Sequence, residues 1–277
     1  MASVAPVLTN KSVPVPSVEI YFSSLGTGSP TTITVYRLAD GETEIVRTAN
    51  RAPATTAFTV VDYEVPFGVV VTYFSEVFNA AGTSLGVSST VTTTVDSDSV
   101  WIHDPLDLSN ILVVTPYSSD ASLGQDSFTQ IERGYSFNSS NVIGKKKPII
   151  QFYGEKAIQG LNFEVITSTN VAFDALENLL SVAPIVIRTP PRFYNLPRLL
   201  YGVLQGSQEP LTWHLSTSDQ PITRWSLTLD ETEAPGIDLV FGYFTYSYWA
   251  SRYATYTLAN SAYGTGTYID AVRNPPA

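Results

Sequence analysis

Short runs of alternating or wholly apolar residues recur along most of the chain, and turn-forming residues separate them. In the first third they cover residues 18–23, 32–38, 42–47, 57–61, 69–78 and 85–95. Between them lie Gly26-Thr27-Gly28-Ser29-Pro30, Asp40-Gly41, Pro66-Phe67-Gly68 and Asn79-Ala80-Ala81-Gly82. Period-two alternation bounded by Gly, Pro, Asn and Asp predicts β-strands, and several short strands with regular turns predict a β-sandwich. Asp40-Gly41 predicts a hairpin, because a two-residue turn of that kind needs positive φ. Within 71–78, Val71, Tyr73, Ser75 and Val77 share one face, and Thr72, Phe74, Glu76 and Phe78 share the other. Residues 1–16 hold three prolines and predict an edge strand or an extended lead-in.

The texture changes near Val100-Trp101-Ile102-His103-Asp104-Pro105-Leu106-Asp107, after a Ser/Thr-rich run ending in Asp96-Ser97-Asp98-Ser99. Strand-like runs follow at 110–115, 130–137, 148–153, 160–167, 185–188, 197–205, 211–216 and 223–228. One segment, 170–181, has a different period. Phe173, Leu176, Leu179 and Leu180 fall on a single stripe, Thr169 or Asn170 can cap its start, and Pro184 forbids continuation. It predicts one helix lying on a sheet. The second unit is thus expected to be a β-sandwich or barrel with one flanking helix.

The last segment is a short repeat. Tyr243, Tyr253 and Tyr263 are ten apart, Thr245, Thr255 and Thr265 keep the register, and Tyr246 and Tyr256 follow, while the third copy slips to Tyr268. Short helical turns capped by Thr245, Thr255 and Thr267 are the favoured reading, with one or two strands as the competitor. Ten aromatics between Phe241 and Tyr268 make this segment a docking element for its own domain or a neighbour. Interface residues expected here are Tyr243, Tyr246, Trp249, Tyr253, Tyr256, Tyr263 and Tyr268. The basic turn Lys145-Lys146-Lys147 is read either as a solvated hairpin tip or as a contact with an acidic patch on a neighbouring subunit.

Composition narrows the function classes. There are no cysteines, so disulfides and thiolate-bound zinc are excluded. A net charge of −10 argues against stable nucleic-acid binding, for which clustered Lys and Arg are needed. No apolar run is long enough to cross a membrane as a helix, and the N-terminus does not read as a signal peptide. The abundance of Ser, Thr, Val and Tyr suits a mainly β protein. Candidate chemistry is sparse. His103 and Asp104 are adjacent, so a strand turns them to opposite faces and they are poorly placed to act on one ion or substrate. His214 has no nucleophile motif around it. Asp62-x-Glu64 and Asp230-Glu231-x-Glu233 could supply the paired carboxylates of a glycosidase, with acidic turns as the commoner explanation. Trp101, Trp213, Trp225 and Trp249 could stack on a sugar, or be core residues. No catalytic, metal or cofactor site is predicted.

Two resemblances add to this. The stretch 71–84, with Val65-Pro66-Phe67-Gly68 before it, resembles the F strand, F–G turn and E–F corner of a fibronectin type III domain. It departs at the corner tyrosine, whose place falls on Val71 with Tyr73 nearest, and in having Tyr21 and Phe22 where many members carry a Trp. Further on, the order Trp101-x-His-Asp-Pro-Leu-Asp, Gly144-x-x-x-Pro148-Ile, Asp174-x-Leu-x-x-Leu-Leu180 and Pro184-x-x-x-Arg188-Thr-Pro is similar to minor tail proteins of long-tailed actinobacteriophages. Their tail-type domain is similar to distal tail and tail-tube proteins, whose β-sandwich with a flanking helix forms rings.

The resemblance implies a fibronectin-like module over 1–96, a linker at 97–99, a tail-type β-sandwich over 100–236 and a docking segment over 237–277. It implies a virion protein of the tail tip, made in the host cytoplasm. A sixfold homo-oligomeric ring would join the tail tube to tip or baseplate proteins and leave a channel for DNA, with the first module projecting outward. The alternative function is host-surface carbohydrate binding or adhesion, and the third is a wall-degrading hydrolase. Limited proteolysis is expected to nick the chain at 95–99; cuts within 101–106 instead would misplace the boundary.

Overall fold

The computed structural model describes residues 4–115, 120–125, 127–129, 131–140, 149–211 and 222–236, without the side chains of 134–139 and 149–156. Within them the protein is mainly antiparallel β with one helix. The first nine strands are β1 (Val7–Lys11), β2 (Ser17–Phe22), β3 (Thr32–Ala39), β4 (Glu42–Ile45), β5 (Ala52–Pro53), β6 (Phe58–Asp62), β7 (Val71–Phe78), β8 (Ser84–Val87) and β9 (Val91–Thr93). One sheet has the order β1-β2-β6, the other β4-β3-β7-β8, with β5 added to β3 and β9 to β7. Their inner faces meet in one core: Val18, Ile20 and Phe22 from β2 and Phe58 and Val60 from β6 face Ile33, Val35, Val71, Tyr73 and Val77. The alternation read from 71–78 is the one observed, with Val71, Tyr73, Ser75 and Val77 buried. Asp40 and Gly41 both take positive φ and join β3 to β4, as that turn requires. The expected single run 85–95 is two strands, parted where Ser88 leaves the ladder to bond Ser75 through its main-chain N–H and its hydroxyl.

The remaining elements are β10 (Val100–His103), β11 (Ile111–Val114), β12 (Ala121–Leu123), β13 (Glu132–Ser140), β14 (Ile149–Gln159), β15 (Leu161–Thr167), α1 (Asn170–Leu180), β16 (Ile185–Arg188), β17 (Leu199–Pro210) and β18 (Thr223–Glu231). Strands β13 and β14 pair antiparallel as a two-stranded sheet. The other seven make one sheet of order β11-β10-β16-β17-β18-β15-β12. Its two edge strands meet: the N–H of Thr115, just past β11, donates to Ala121 O at 3.3 Å, and Thr115 bridges Ser122. Of the two shapes left open by the sequence, sandwich or barrel, the structure takes a rolled sheet. Every second residue points inward, and Ile102, Leu112, Phe163, Val165, Ile187, Leu200, Trp225 and Leu227 share one core.

The helix lines that core, as its stripe predicts. Thr169 caps it, its side chain accepting the N–H of Ala172, and Ala172, Leu176 and Leu179 are buried. Phe173 lies 5.0 Å from the Trp225 ring. Strand β12 escaped sequence reading because three residues, Ala-Ser-Leu, carry no period; it exists through pairing with Thr167, Ile166 and Val165. Leu176 is fully buried between helix and sheet, so Leu176→Ala should lower stability by about 2–5 kcal/mol in a denaturant titration.

Candidate functional site

The rolled sheet turns its outer face at β10, β16 and β17 toward the N-terminal sandwich. Register makes Trp101 the partner of Arg188, and His103 the partner of Val186, which in turn pairs with Tyr201. Since the inward positions of these strands belong to the core, these five side chains point the other way. Arg188 enters the sandwich. Its Nη1 donates to Pro16 O at 2.7 Å and to Val65 O at 3.3 Å, and its guanidinium lies 4.5 Å from the centre of the Phe67 ring. One residue on, Gly68 has φ +68°, and a Cβ there would sit 2.1 Å from Pro191 Cγ. A small apolar cluster of Val15 and Leu108, with Tyr63, Trp101 and Ile111, closes one side. The corner 65–68, read as a turn, is therefore a docking surface.

Behind Arg188 lies a buried charge network. Arg37 Nη1 donates to both Asp62 oxygens at 3.0 Å and to Glu64 O at 2.6 Å, while its Nη2 pairs with the outer carboxylate Glu44. Arg47 Nε donates to Glu64 Oε1 at 2.7 Å. The Tyr73 hydroxyl donates to Asp62 Oδ2 at 2.8 Å. Arg37, Arg47, Arg188, Asp62, Glu64 and Tyr73 are each at most 5% exposed. Burial opposes the charge on Arg37, but Asp62 and Glu44 outweigh it and hold its pKa well above the ordinary value. Arg47 is raised too, by Glu64 and then Tyr201, against its burial. Burial and then the Asp62 charge push the Tyr73 phenol up; burial and then Glu64 do the same to Tyr201. Arg188 has no carboxylate in contact among the described residues, and burial brings it down to about 9, with Asp62 and Glu64 partly offsetting. It remains a cation at neutral pH. Arg47 reaches further, its Nη1 donating to Pro235 O and Gly236 O at 3.0 and 2.9 Å. The residues leading into 237–277 are thus tied to the first sandwich.

The structure places the predicted chemistry as follows. His103 is fully buried at this seam, its Nδ1 3.2 Å from Asp104 O, while Asp104 Oδ1 accepts the N–H of Leu106 at 2.7 Å in the next turn. The two side chains do not converge. Asp62 and Glu64 are not an acidic turn: both are buried and ion-paired, because β6 turns Asp62 inward and Glu64 follows at the same parity. Asp230 Oδ1 accepts the Gly160 N–H at 2.8 Å and Glu231 Oε2 accepts the Ile158 N–H at 2.6 Å, so these carboxylates hold the β14–β15 turn. Trp225 is a core residue with Nε1 on Thr167 Oγ1, and Trp101 packs in the seam with Nε1 on Ser97 Oγ. Lys145, Lys146, Lys147, His214, Trp213 and the aromatic residues Tyr243, Tyr246, Trp249, Tyr253, Tyr256, Tyr263 and Tyr268 lie outside the described residues.

An open cleft of about 640 Å³ runs over β15, β18 and β17, lined by Asn162, Glu164, Gln205, Ser207, Ser226 and Thr228. Among the described residues lining it, Glu164 is the one carboxylate; glycoside cleavage by acid and base uses two. Among the described residues no group of His, Cys, Asp and Glu is arranged to hold a metal. No helix among them is long and apolar enough to cross a membrane.

In comparison with known proteins, no family model matches this chain and no curated protein matches it.

Sequence reading passed over Arg37 and Arg47, and gave Arg188 only a place in the tail-type pattern, with no buried role. Arg37 and Arg188 each interrupt an apolar strand, Val35-Tyr36-Arg37-Leu38 and Ile185-Val186-Ile187-Arg188. A cation inside such a run is the signal, since it must find a partner when buried. Asp62→Ala should strand Arg37 and the Tyr73 hydroxyl, lowering stability by roughly 3–5 kcal/mol by denaturant titration, whereas exposed Glu209→Ala should change it by less than about 1 kcal/mol.

Proposed function

We propose that this chain is a structural component of a bacteriophage tail tip, forming a ring at the distal end of the tail tube that joins tube to tip proteins and leaves a channel for DNA. One observation carries the reading. Three of the four tail-type motifs, far apart in sequence, lie on the rolled sheet or on the helix that lines its core, while Gly144 and Pro148 of the fourth lie outside the described residues. Trp101 on β10 and Arg188 on β16 are register partners, and Leu176 and Leu180 of α1 pack in the core the same sheet encloses.

The chemistry supports a structural role. Among the described residues, the densest group of ionisable side chains is a closed joint whose carboxylates are ion-paired. A joint of this kind suits a part that transmits load between neighbours. The first module, in this reading, does not project on a hinge; it rides on the outside of the rolled sheet, gripped by Arg188 and Arg47. The 237–277 segment docks on an adjacent subunit or tail protein, and an acidic lining of the channel would reduce adhesion of DNA phosphates.

Carbohydrate binding is the weaker alternative. Trp101 and Trp225 both pack in apolar clusters, so a stacking platform would have to come from Trp213 or Trp249.

Electron microscopy of particles or of the purified protein should show rings around an axial channel. A protein that stays monomeric at high concentration and is absent from virions would overturn the reading. A chain lacking residues 237–277 should fold yet fail to enter particles; incorporation at the full-length level would remove the docking role of that segment.

A further inference from the structure

The seam contains polar atoms that its ion pairs do not use. His103 Nδ1 lies against a carbonyl oxygen, Asp104 O, so Nδ1 carries the proton and Nε2 keeps a lone pair. That Nε2 has no hydrogen-bond partner among the described residues, nor do Nε and Nη2 of Arg188. Both side chains are fully buried on the same outer face of neighbouring strands. Around them stand Arg47 from the loop after β4, Asp62 and Glu64 with their partner Arg37, Tyr63 in the apolar cluster, Tyr201 on β17, and Asp104 beside His103. Asp62 and Glu64 are already held by Arg37 and Arg47, so neither is placed to receive a charged imidazole.

We propose that His103 and Arg188 form an acid-operated latch: a proton on His103 drives the N-terminal sandwich off the rolled sheet while each unit keeps its own core. In the closed seam the imidazolium would face a buried guanidinium, with no carboxylate as its hydrogen-bond partner. In the open form water solvates both cations. The apolar contact at the seam is small: Val15 and Leu108 form its cluster, with Val186 of β16 and Phe67 of the corner also buried there, against the continuous cores of the sandwich and the rolled sheet. Its remaining bonds run from Arg188 and Arg47 to main-chain carbonyls and between the side chain of Tyr201 and those of Glu64 and Arg47, all of which water can replace.

The sign follows from linkage. Burial and then the Arg188 charge push His103 down from 6.5 to about 3; the hydrogen bond to Asp104 works against this, and Arg47 adds to it. The open form, with an ordinary imidazole, binds the proton more readily. Closure is therefore fully favoured above 6.5 and weakens as pH falls, by about tenfold in the closed-to-open ratio per pH unit down to about 3.

Small-angle X-ray scattering and far-ultraviolet circular dichroism on the full chain, between pH 7.5 and 3.5, test this. The wild type should expand with its strand signal retained, and His103→Asn, which cannot take the proton, should expand at least about one pH unit lower. Asp62 and Glu64 are present in both proteins, so the difference reports His103 alone. Loss of strand signal together with expansion, or the same midpoint in both proteins, overturns the latch. Should His103→Asn not fold, the wild type carries only two histidines, and NMR of their ring protons gives a second test. A His103 resonance that titrates near 6.5 while the protein stays compact overturns it; one that stays neutral until expansion begins supports it.

Discussion

Three arginines buried against two carboxylates and a row of main-chain carbonyls set the architecture. A guanidinium moved from water into a protein interior loses several kcal/mol of hydration, and only good geometry returns it. Arg37 finds it in the bidentate grip on Asp62, and Arg47 in Glu64. Arg188 finds carbonyls and the Phe67 ring instead of a carboxylate. An apolar contact can slide, whereas the bonds of Arg188 to Pro16 O and Val65 O, and of Arg47 to Pro235 O and Gly236 O, are made in one relative placement of the two units. The network contributes less to total stability than the two cores do, and more to which surface meets which.

The rest of the molecule supplies the frame. Alternation on β2, β3, β6 and β7 builds the first core and delivers Arg37 and Asp62 to its edge. The rolled sheet does the same with Arg188, which shares β16 with the inward Ile185 and Ile187. The corner 65–68 meets it with a carbonyl, an aromatic ring and a glycine that lets Pro191 approach. Each feature is ordinary by itself. Together they hold a fully buried, neutral histidine against an arginine, which makes the joint sensitive to protons where the cores are not.

Legibility followed the range of the interaction. Strands with strict alternation, the Asp40-Gly41 hairpin and the stripe of α1 were plain in the sequence, because neighbours two to four residues apart decide them. Strand β12 was not, since three residues without a period become a strand only beside β15. Asp62 and Glu64 looked like a solvated turn because nothing nearby in the chain balances them; Arg37 and Arg47 are 25 and 17 residues away. The side chains of His103 and Asp104 do not converge, and the neighbourhood of His103 and Arg188, on adjacent strands, is invisible at a separation of 85 positions.

The amino-acid sequence by itself determined a mainly β protein with one capped helix, where its strands turn, and a break in texture near residue 100. Those properties come from steric preferences and hydrophobic period, which act locally. Tertiary structure alone decided that the second sheet rolls until its edges meet, that the two units lock face to face, and that the acidic and basic residues meet, buried, beside the seam. Pairing, desolvation and charge balance there depend on groups that only folding brings within a few ångströms of one another.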